Sequence, residues 1–201
     1  MERRGKGRRY GRDALLTESN VLSALRIAAA PALGYAIATT EKVGLLVLSA
    51  HLALWSTDLV DGWLSRRHGS TKLGDGLDEK SDKVLTWAEF AGLMVRGVYG
   101  FVGAGMLGIM ASRDILITKF RKKLKKDGMN TSDKLPGKIK TNLQIAAIGV
   151  PLFPALADNP ALIKGSLAVA TVASVGSGLH YVYEGRKQQR KKQKDVQINQ
   201  T

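Results

Sequence analysis

Apolar stretches alternate along the chain with polar and basic connections. Six such stretches lie at residues 20–39, 43–55, 85–95, 98–110, 143–156 and 161–179. Several are shorter than the about 20 residues that a membrane-spanning helix needs, so a spanning helix here must include polar flanks. Such flanks are tolerated at membrane depth where they line a cavity instead of facing lipid. The pattern predicts an all-α, polytopic integral membrane protein with about six transmembrane helices and a polar cavity.

The distribution of basic residues predicts the orientation of these helices. The 201-residue chain has 31 Lys and Arg against 17 Asp and Glu, a formal charge of +14. Few of the basic residues lie near three of the connections, at residues 40–42, 96–99 and 157–160. Because basic loops stay on the cytoplasmic side, both termini and the polar cavity are predicted to face the cytoplasm, in a cell membrane.

The same pattern divides the chain into three segments. Residues 1–19 form a basic cytoplasmic arm, residues 20–185 a six-helix membrane domain and residues 186–201 a basic cytoplasmic tail. The first apolar stretch is long and has no convincing cleavage site, so we expect a retained first span and not a signal peptide. Residues 120–140 are expected to form a strongly basic cytoplasmic loop.

Composition excludes some classes of function. The chain has no cysteine, which excludes disulfides and thiolate metal sites. A soluble nucleic-acid-binding domain would combine a basic face with interleaved aromatic side chains. Here the basic clusters lie between apolar stretches and only 6% of residues are aromatic, so no nucleic-acid partner is expected.

Four aspartates flanked by apolar sequence suggest a metal site. Asp58 and Asp61 are three residues apart, and Asp78 and Asp82 are four apart. On helices, each pair shares one face, so two helices can direct four carboxylates to one point. Such a cluster repels itself and is costly near hydrocarbon. Two hard divalent cations would compensate it, as in phosphoryl transfer; Mg²⁺ is the expected ion, with Mn²⁺ as the alternative.

The aspartates belong to a longer motif, D-x2-D-G-x2-S-R-x7-G-x3-D-x3-D, at residues 58–82. It resembles the signature of the CDP-alcohol phosphotransferase (CDP-alcohol phosphatidyltransferase) family, D-x2-D-G-x2-A-R-x8-G-x3-D-x3-D. This chain departs from it in two ways. Ser65 replaces the usual alanine, and the spacer before Gly74 is one residue shorter. Every spacing within each half is kept, so the shorter spacer is expected to alter only the connection between two helices.

The resemblance implies an enzyme that displaces CMP from a CDP-linked lipid with the hydroxyl of a second alcohol. It makes residues 20–185 a catalytic domain. Asp58, Asp61 and Asp78 are then the metal ligands, and Asp82 is the base that accepts the alcohol proton, with shared metal contact. The residues expected to contact the CDP group are Asp61, Gly62, Ser65, Arg66 and Gly74.

Two further segments resemble parts of the family that handle the acceptor alcohol. Arg113 begins an Arg-acidic pair, and residues 137–144 read G-K-x-K-T-x2-Q, as in the phosphatidylglycerophosphate synthase branch. Arg113, Lys138 and Lys140 are therefore expected to bind an acceptor phosphate. The expected substrates are CDP-diacylglycerol and glycerol 3-phosphate, and the expected product is phosphatidylglycerophosphate.

Alternatives remain open from the sequence. Residues 31–35, 112–114 and 185–187 look like the CMP-forming cardiolipin synthase branch, whose acceptor is phosphatidylglycerol. Inositol phosphate, serine or another acceptor is less favoured. Outside enzymes, the chain could be a basic lipid-binding membrane protein with a degenerate site, or an ion transporter; the latter lacks the usual inverted repeat.

One cation in the first apolar stretch also needs a partner. Arg26 lies within a span that resembles the family's first one, and it is expected to meet an anionic side chain or a phosphate. Small residues four apart, beginning at Gly34 and at Gly100, favour close helix packing. Together with the family resemblance, these small residues predict a homodimer that lies in the membrane and contacts membrane lipids.

Overall fold

In a computed structural model, residues 17–40, 45–68, 72–129 and 135–198 are described, and every regular element among them is an α-helix. This confirms the all-α class. The helices within these described ranges are α1 (Glu18–Thr39), α2 (Leu45–His68), α3 (Lys72–Val95), α4 (Gly100–Lys126), α5 (Leu135–Leu152) and α6 (Pro160–Ile198). Residues 1–16 of the predicted arm lie outside the described part of the chain.

Three of the described helical segments are long and apolar enough to cross a membrane. They are Glu18–Thr39, Gly100–Lys126 and Pro160–Gln193, and Leu45–Thr57 is a shorter apolar segment within α2. The other helices contain polar residues that lower their mean hydropathy: α2 and α3 carry the aspartate motif, and α5 carries Lys138 and Lys140 in its first two turns. The number of six spans therefore stays a prediction.

The expectation of a basic loop over residues 120–140 is wrong for most of that segment. Helix α4 continues to Lys126, because lysine, arginine and leucine favour helix and cations in the last turn suit the helix dipole. Gly128, at φ 73°, ends the helix. Its N–H donates to the carbonyl of Lys125, and that of Met129 to the carbonyl of Leu124, a Schellman cap. Helix α5 then begins at Leu135.

The chain divides into two compact units. The first comprises Met1–Val98 with Pro151–Asp158, and the second comprises Tyr99–Val150 with Asn159–Thr201. In the first unit, α1 packs along α3 and also along α2. A Cβ added at Gly34 of α1 would lie 2.6 Å from the carbonyl oxygen of Ala88, and one at Gly92 would lie 2.3 Å from that of Gly34. These glycines therefore permit a close approach of α1 and α3.

In the second unit, α4 packs along α6. A Cβ at Gly185 would lie 2.6 Å from the ring of Phe120, so the two helices approach closely at this point as well. The hydroxyl of Tyr99 donates to the carbonyl oxygen of Ala147 in α5 at 2.9 Å. Helix α6 runs without interruption from the apolar segment into the basic tail, as far as Ile198.

Candidate functional site

The aspartate motif lies on two consecutive helices, as its spacing predicts. Helix α2 carries the first half of the motif and α3 carries the second half. Helix α3 begins at Lys72, two residues before the motif glycine Gly74. The motif positions whose side chains lie outside the described part of the structure are Asp58, Asp61, Gly62, Ser65, Arg66 and Gly74. Their predicted roles stay predictions.

Asp78 and Asp82 are joined by Arg26 of α1. One guanidinium nitrogen of Arg26, Nη2, donates to Oδ1 of Asp78 at 3.0 Å, and the other, Nη1, donates to Oδ1 of Asp82 at 2.5 Å. The planar guanidinium suits this bridge because its donors point in fixed directions toward two acceptors. The anionic partner expected for Arg26 is thus a pair of the motif's own carboxylates. Positive charge lies between two groups that would otherwise repel each other.

The donor set suits a hard cation. Asp78 and Asp82 present carboxylate oxygens, which Mg²⁺ and Mn²⁺ prefer. Among the described residues, no group of three or more His, Cys, Asp or Glu side chains is placed to hold a metal ion. The other two predicted ligands, Asp58 and Asp61, lie at positions of α2 whose side chains are outside the described part. A cation bound to Asp78 and Asp82 would share them with Arg26.

A second polar cluster lies in the other unit, around Asp114 of α4. Its Oδ1 accepts a hydrogen bond from Nη1 of Arg113 at 2.8 Å and another from Nζ of Lys140 at 3.2 Å. Two of the three residues predicted to bind an acceptor phosphate, Arg113 and Lys140, therefore meet at one carboxylate. Lys140 is buried. Lys138 is exposed, as expected for residues two apart on a helix, which face different directions.

Helix α6 supplies further residues of this cluster that the sequence did not reveal. The hydroxyl of Ser177 accepts a hydrogen bond from Nη2 of Arg113 at 2.7 Å. A Cβ added at the next residue, Gly178, would lie 3.1 Å from both Cγ and Nε of Arg113. Ser177 therefore orients the guanidinium, and Gly178 leaves room for it. The available signal was a serine beside a glycine within an apolar stretch, which also fits simple helix packing.

Comparison with known proteins identifies the family of the chain. The model of the family described as CDP-alcohol phosphatidyltransferase matches residues 16–176. A protein named probable phosphatidylglycerophosphate synthase in two Mycobacterium tuberculosis strains, CDC 1551 / Oshkosh and ATCC 25618 / H37Rv, is 25% identical to the chain over 181 residues. This similarity covers 88% of the chain and 85% of the relative. The chain belongs to the CDP-alcohol phosphatidyltransferase family.

Proposed function

We propose that this family member transfers the phosphatidyl group of CDP-diacylglycerol to glycerol 3-phosphate. The hydroxyl oxygen of glycerol 3-phosphate forms a bond to the lipid-linked phosphorus of the diphosphate. The bond from that phosphorus to the bridging oxygen breaks, and CMP leaves with the bridging oxygen. The hydroxyl proton passes to the carboxylate of Asp82. The products are phosphatidylglycerophosphate and CMP, so the protein would act in phospholipid biosynthesis.

The donor half of the proposal rests on the aspartate motif. Asp58, Asp61, Asp78 and Asp82 would hold Mg²⁺, with Mn²⁺ as a substitute, in a two-ion site. Bound there, the ions would neutralise the charge of the diphosphate beside a medium of low dielectric constant. Asp82 would also act as the base: its carboxylate would accept the proton while Arg26 keeps that carboxylate oriented. The contacts to the CDP group are assigned to Asp61, Gly62, Ser65, Arg66 and Gly74.

The choice of acceptor rests on one observation: Arg113 and the buried Lys140 both donate to the buried carboxylate of Asp114. Cations are rare at membrane depth unless a function or a partner keeps them there. An anionic acceptor such as glycerol 3-phosphate gives them a function, because a phosphate accepts charge-assisted hydrogen bonds from both. Lys138, which is exposed, is assigned the weaker role of attracting the phosphate. The names of the similar mycobacterial proteins support the same acceptor.

The membrane arrangement completes the proposal. Six spans with both termini and the active site on the cytoplasmic side would give the site access to water-soluble glycerol 3-phosphate and to membrane-embedded CDP-diacylglycerol. The distribution of basic residues supports this orientation. A homodimer within the lipid bilayer is part of the same proposal.

The test is release of CMP by the purified full-length protein in lipid nanodiscs with CDP-diacylglycerol and Mg²⁺. Glycerol 3-phosphate and phosphatidylglycerol are supplied separately, and the Asp82→Asn variant serves as control. We expect CMP release with glycerol 3-phosphate, dependence on Mg²⁺ or Mn²⁺, and loss of at least about a hundredfold in Asp82→Asn, the usual contribution of a positioned base. Release with phosphatidylglycerol alone would instead identify a cardiolipin synthase. Release with neither would refute the proposed acceptor.

A further inference from the structure

A buried polar network joins α2 to α3 within the first unit. Nδ1 of His51 lies 2.7 Å from Oε1 of Glu89, and Nε1 of Trp55 donates to Oε2 of Glu89 at 3.0 Å. All three side chains are buried, and that of Glu89 is 0% exposed. Both oxygens of one α3 carboxylate are therefore bonded by side chains of α2.

This network lies in sequence that is otherwise apolar. His51 belongs to the stretch 43–55 and Glu89 to the stretch 85–95. A buried polar group in such surroundings is costly unless hydrogen bonds compensate it, so the network by itself is weak evidence for stability. The best-attested use of buried polar groups is to fix one register between packed helices.

The positions of His51 and Glu89 in the sequence indicate which register of α2 and α3 the network fixes. Helices α2 and α3 are separated only by residues 69–71 and touch far from that connection, at His51 and Glu89. They therefore run antiparallel. The step from residue 51 to 58 is seven residues, and the step from 89 back to 82 is also seven, about 10 Å or two turns. Because His51 lies opposite Glu89, position 58 of α2 lies at the same height along the helix pair as position 82 of α3.

We propose that Glu89, held by His51 and Trp55, is a positioning residue that sets the register of the motif's two halves. A slip of one helical turn would displace α2 along α3 by about 5.4 Å. Mg²⁺ tolerates little displacement, because it binds oxygens at about 2.0–2.1 Å in near-octahedral geometry. The effect on metal binding rests on the proposed function, whereas the effect on the register does not.

The register is measured by double electron–electron resonance on the full-length protein in nanodiscs. The chain has no cysteine, so Leu52→Cys on α2 and Val84→Cys on α3 would carry the only spin labels. Both positions are exposed, at 56% and 39%. Singly labelled proteins would identify distances between copies. We expect one narrow distance within the chain, and in Glu89→Ala a broadened distribution or a shift of about 2–4 Å, the part of a one-turn slip that changes the separation of two labels on neighbouring helices.

Conservative variants separate positioning from general destabilisation. Glu89→Gln keeps an oxygen for Trp55 and offers an amide donor to His51, so it should restore the narrow distance. Trp55→Phe keeps most of the ring and loses one hydrogen bond, and its distribution should be intermediate. Thr171→Val is the control, since it removes a buried hydroxyl that bonds within its own helix, and its distance should be unchanged. Equal distributions for Glu89→Ala and the parent would overturn the proposal.

The second measurement is the affinity for Mn²⁺, followed by the spin resonance signal of the free ion. Changing a residue that orients metal ligands typically weakens binding about 10- to 100-fold, and we expect this loss in Glu89→Ala with recovery in Glu89→Gln. Failure of the parent protein to bind Mn²⁺ would refute the proposed metal site, while the distance measurement would still decide the register. Equal affinity in the parent and Glu89→Ala would refute the positioning role.

Discussion

Arg26 is the side chain whose removal the structure makes most informative. Its charged side chain is 0% exposed, and it bonds Asp78 and Asp82 of the neighbouring helix. The Arg26→Met variant keeps a long flexible side chain and removes both bonds. A hydrogen bond to a charged group contributes about 1.5–3 kcal/mol, so loss of two sets an upper limit of about 3–6 kcal/mol on the destabilisation.

Exposure of the partners reduces that limit. The side chains of Asp78 and Asp82 are 40% and 26% exposed, so both carboxylates regain some hydration when the guanidinium is removed. The cost of burying the guanidinium also disappears. We therefore expect a net loss of about 2–3 kcal/mol. For a chain of this length about 2–4 °C of melting temperature corresponds to 1 kcal/mol, which predicts a decrease of about 5–10 °C.

Thermal unfolding in detergent, followed by tryptophan fluorescence, measures this loss. The exposed arginine Arg190 supplies the control, because Arg190→Met removes one positive charge without removing a buried bond. Arg26→Lys should fall between Met and the parent, since a single ammonium cannot present two fixed donors. Arg26→Met should also lose less stability in an Asp78→Asn background. An Arg26→Met protein that melts with the parent, or a coupling to Asp78 below about 0.5 kcal/mol, would refute the reasoning.

The polar cluster around Asp114 gives two further predictions, both measured by CMP release at varied concentrations of glycerol 3-phosphate. Lys140→Met should lower kcat/KM for glycerol 3-phosphate about 10- to 100-fold, which corresponds to the loss of one charge-assisted hydrogen bond. Lys138→Met should change kcat/KM less than about threefold, because Lys138 is exposed. Equal losses in the two variants would contradict the assignment. Gly178→Ala should raise KM for glycerol 3-phosphate several-fold, because its Cβ would lie 3.1 Å from Arg113. Gly176→Ala, whose Cβ would meet no atom within 4 Å, should leave KM unchanged, and a matching rise there would refute the steric argument.

Local pattern predicted the helices well and their ends less well. The apolar stretches at 20–39 and 161–179 correspond to α1 and to the first half of α6. Helix α5 begins eight residues before the stretch at 143–156, because amphipathic and basic residues can form helix without being apolar. Hydropathy detects only the apolar part of a helix. The helix itself continues as far as backbone hydrogen bonding and side-chain helix propensity allow.

The candidate site also has one feature that the sequence predicted and one that it could not. The motif spacing predicted that Asp78 and Asp82 share a face of α3, and both are bonded by one guanidinium. Their partner could not be predicted from spacing, because Arg26 lies more than fifty residues away and several carboxylates could have satisfied it. Sequence showed that Arg26 needed a counter-charge, and only the packing of α1 along α3 selects which one.

His51 and Glu89 show how more could have been inferred. Each is an ionisable residue within an apolar stretch, and at membrane depth such a residue requires a partner. Each also lies seven residues from a motif aspartate, and therefore on the same helix face two turns away. In an antiparallel pair of helices, residues that lie opposite each other stay opposite when the same number of residues is counted along both helices in opposite sequence directions. If positions 58 and 82 face each other, positions 51 and 89 therefore do so as well, and the His51–Glu89 contact follows. Hydrophobic periodicity alone misses this, because it averages over the few polar positions that fix how the helices meet.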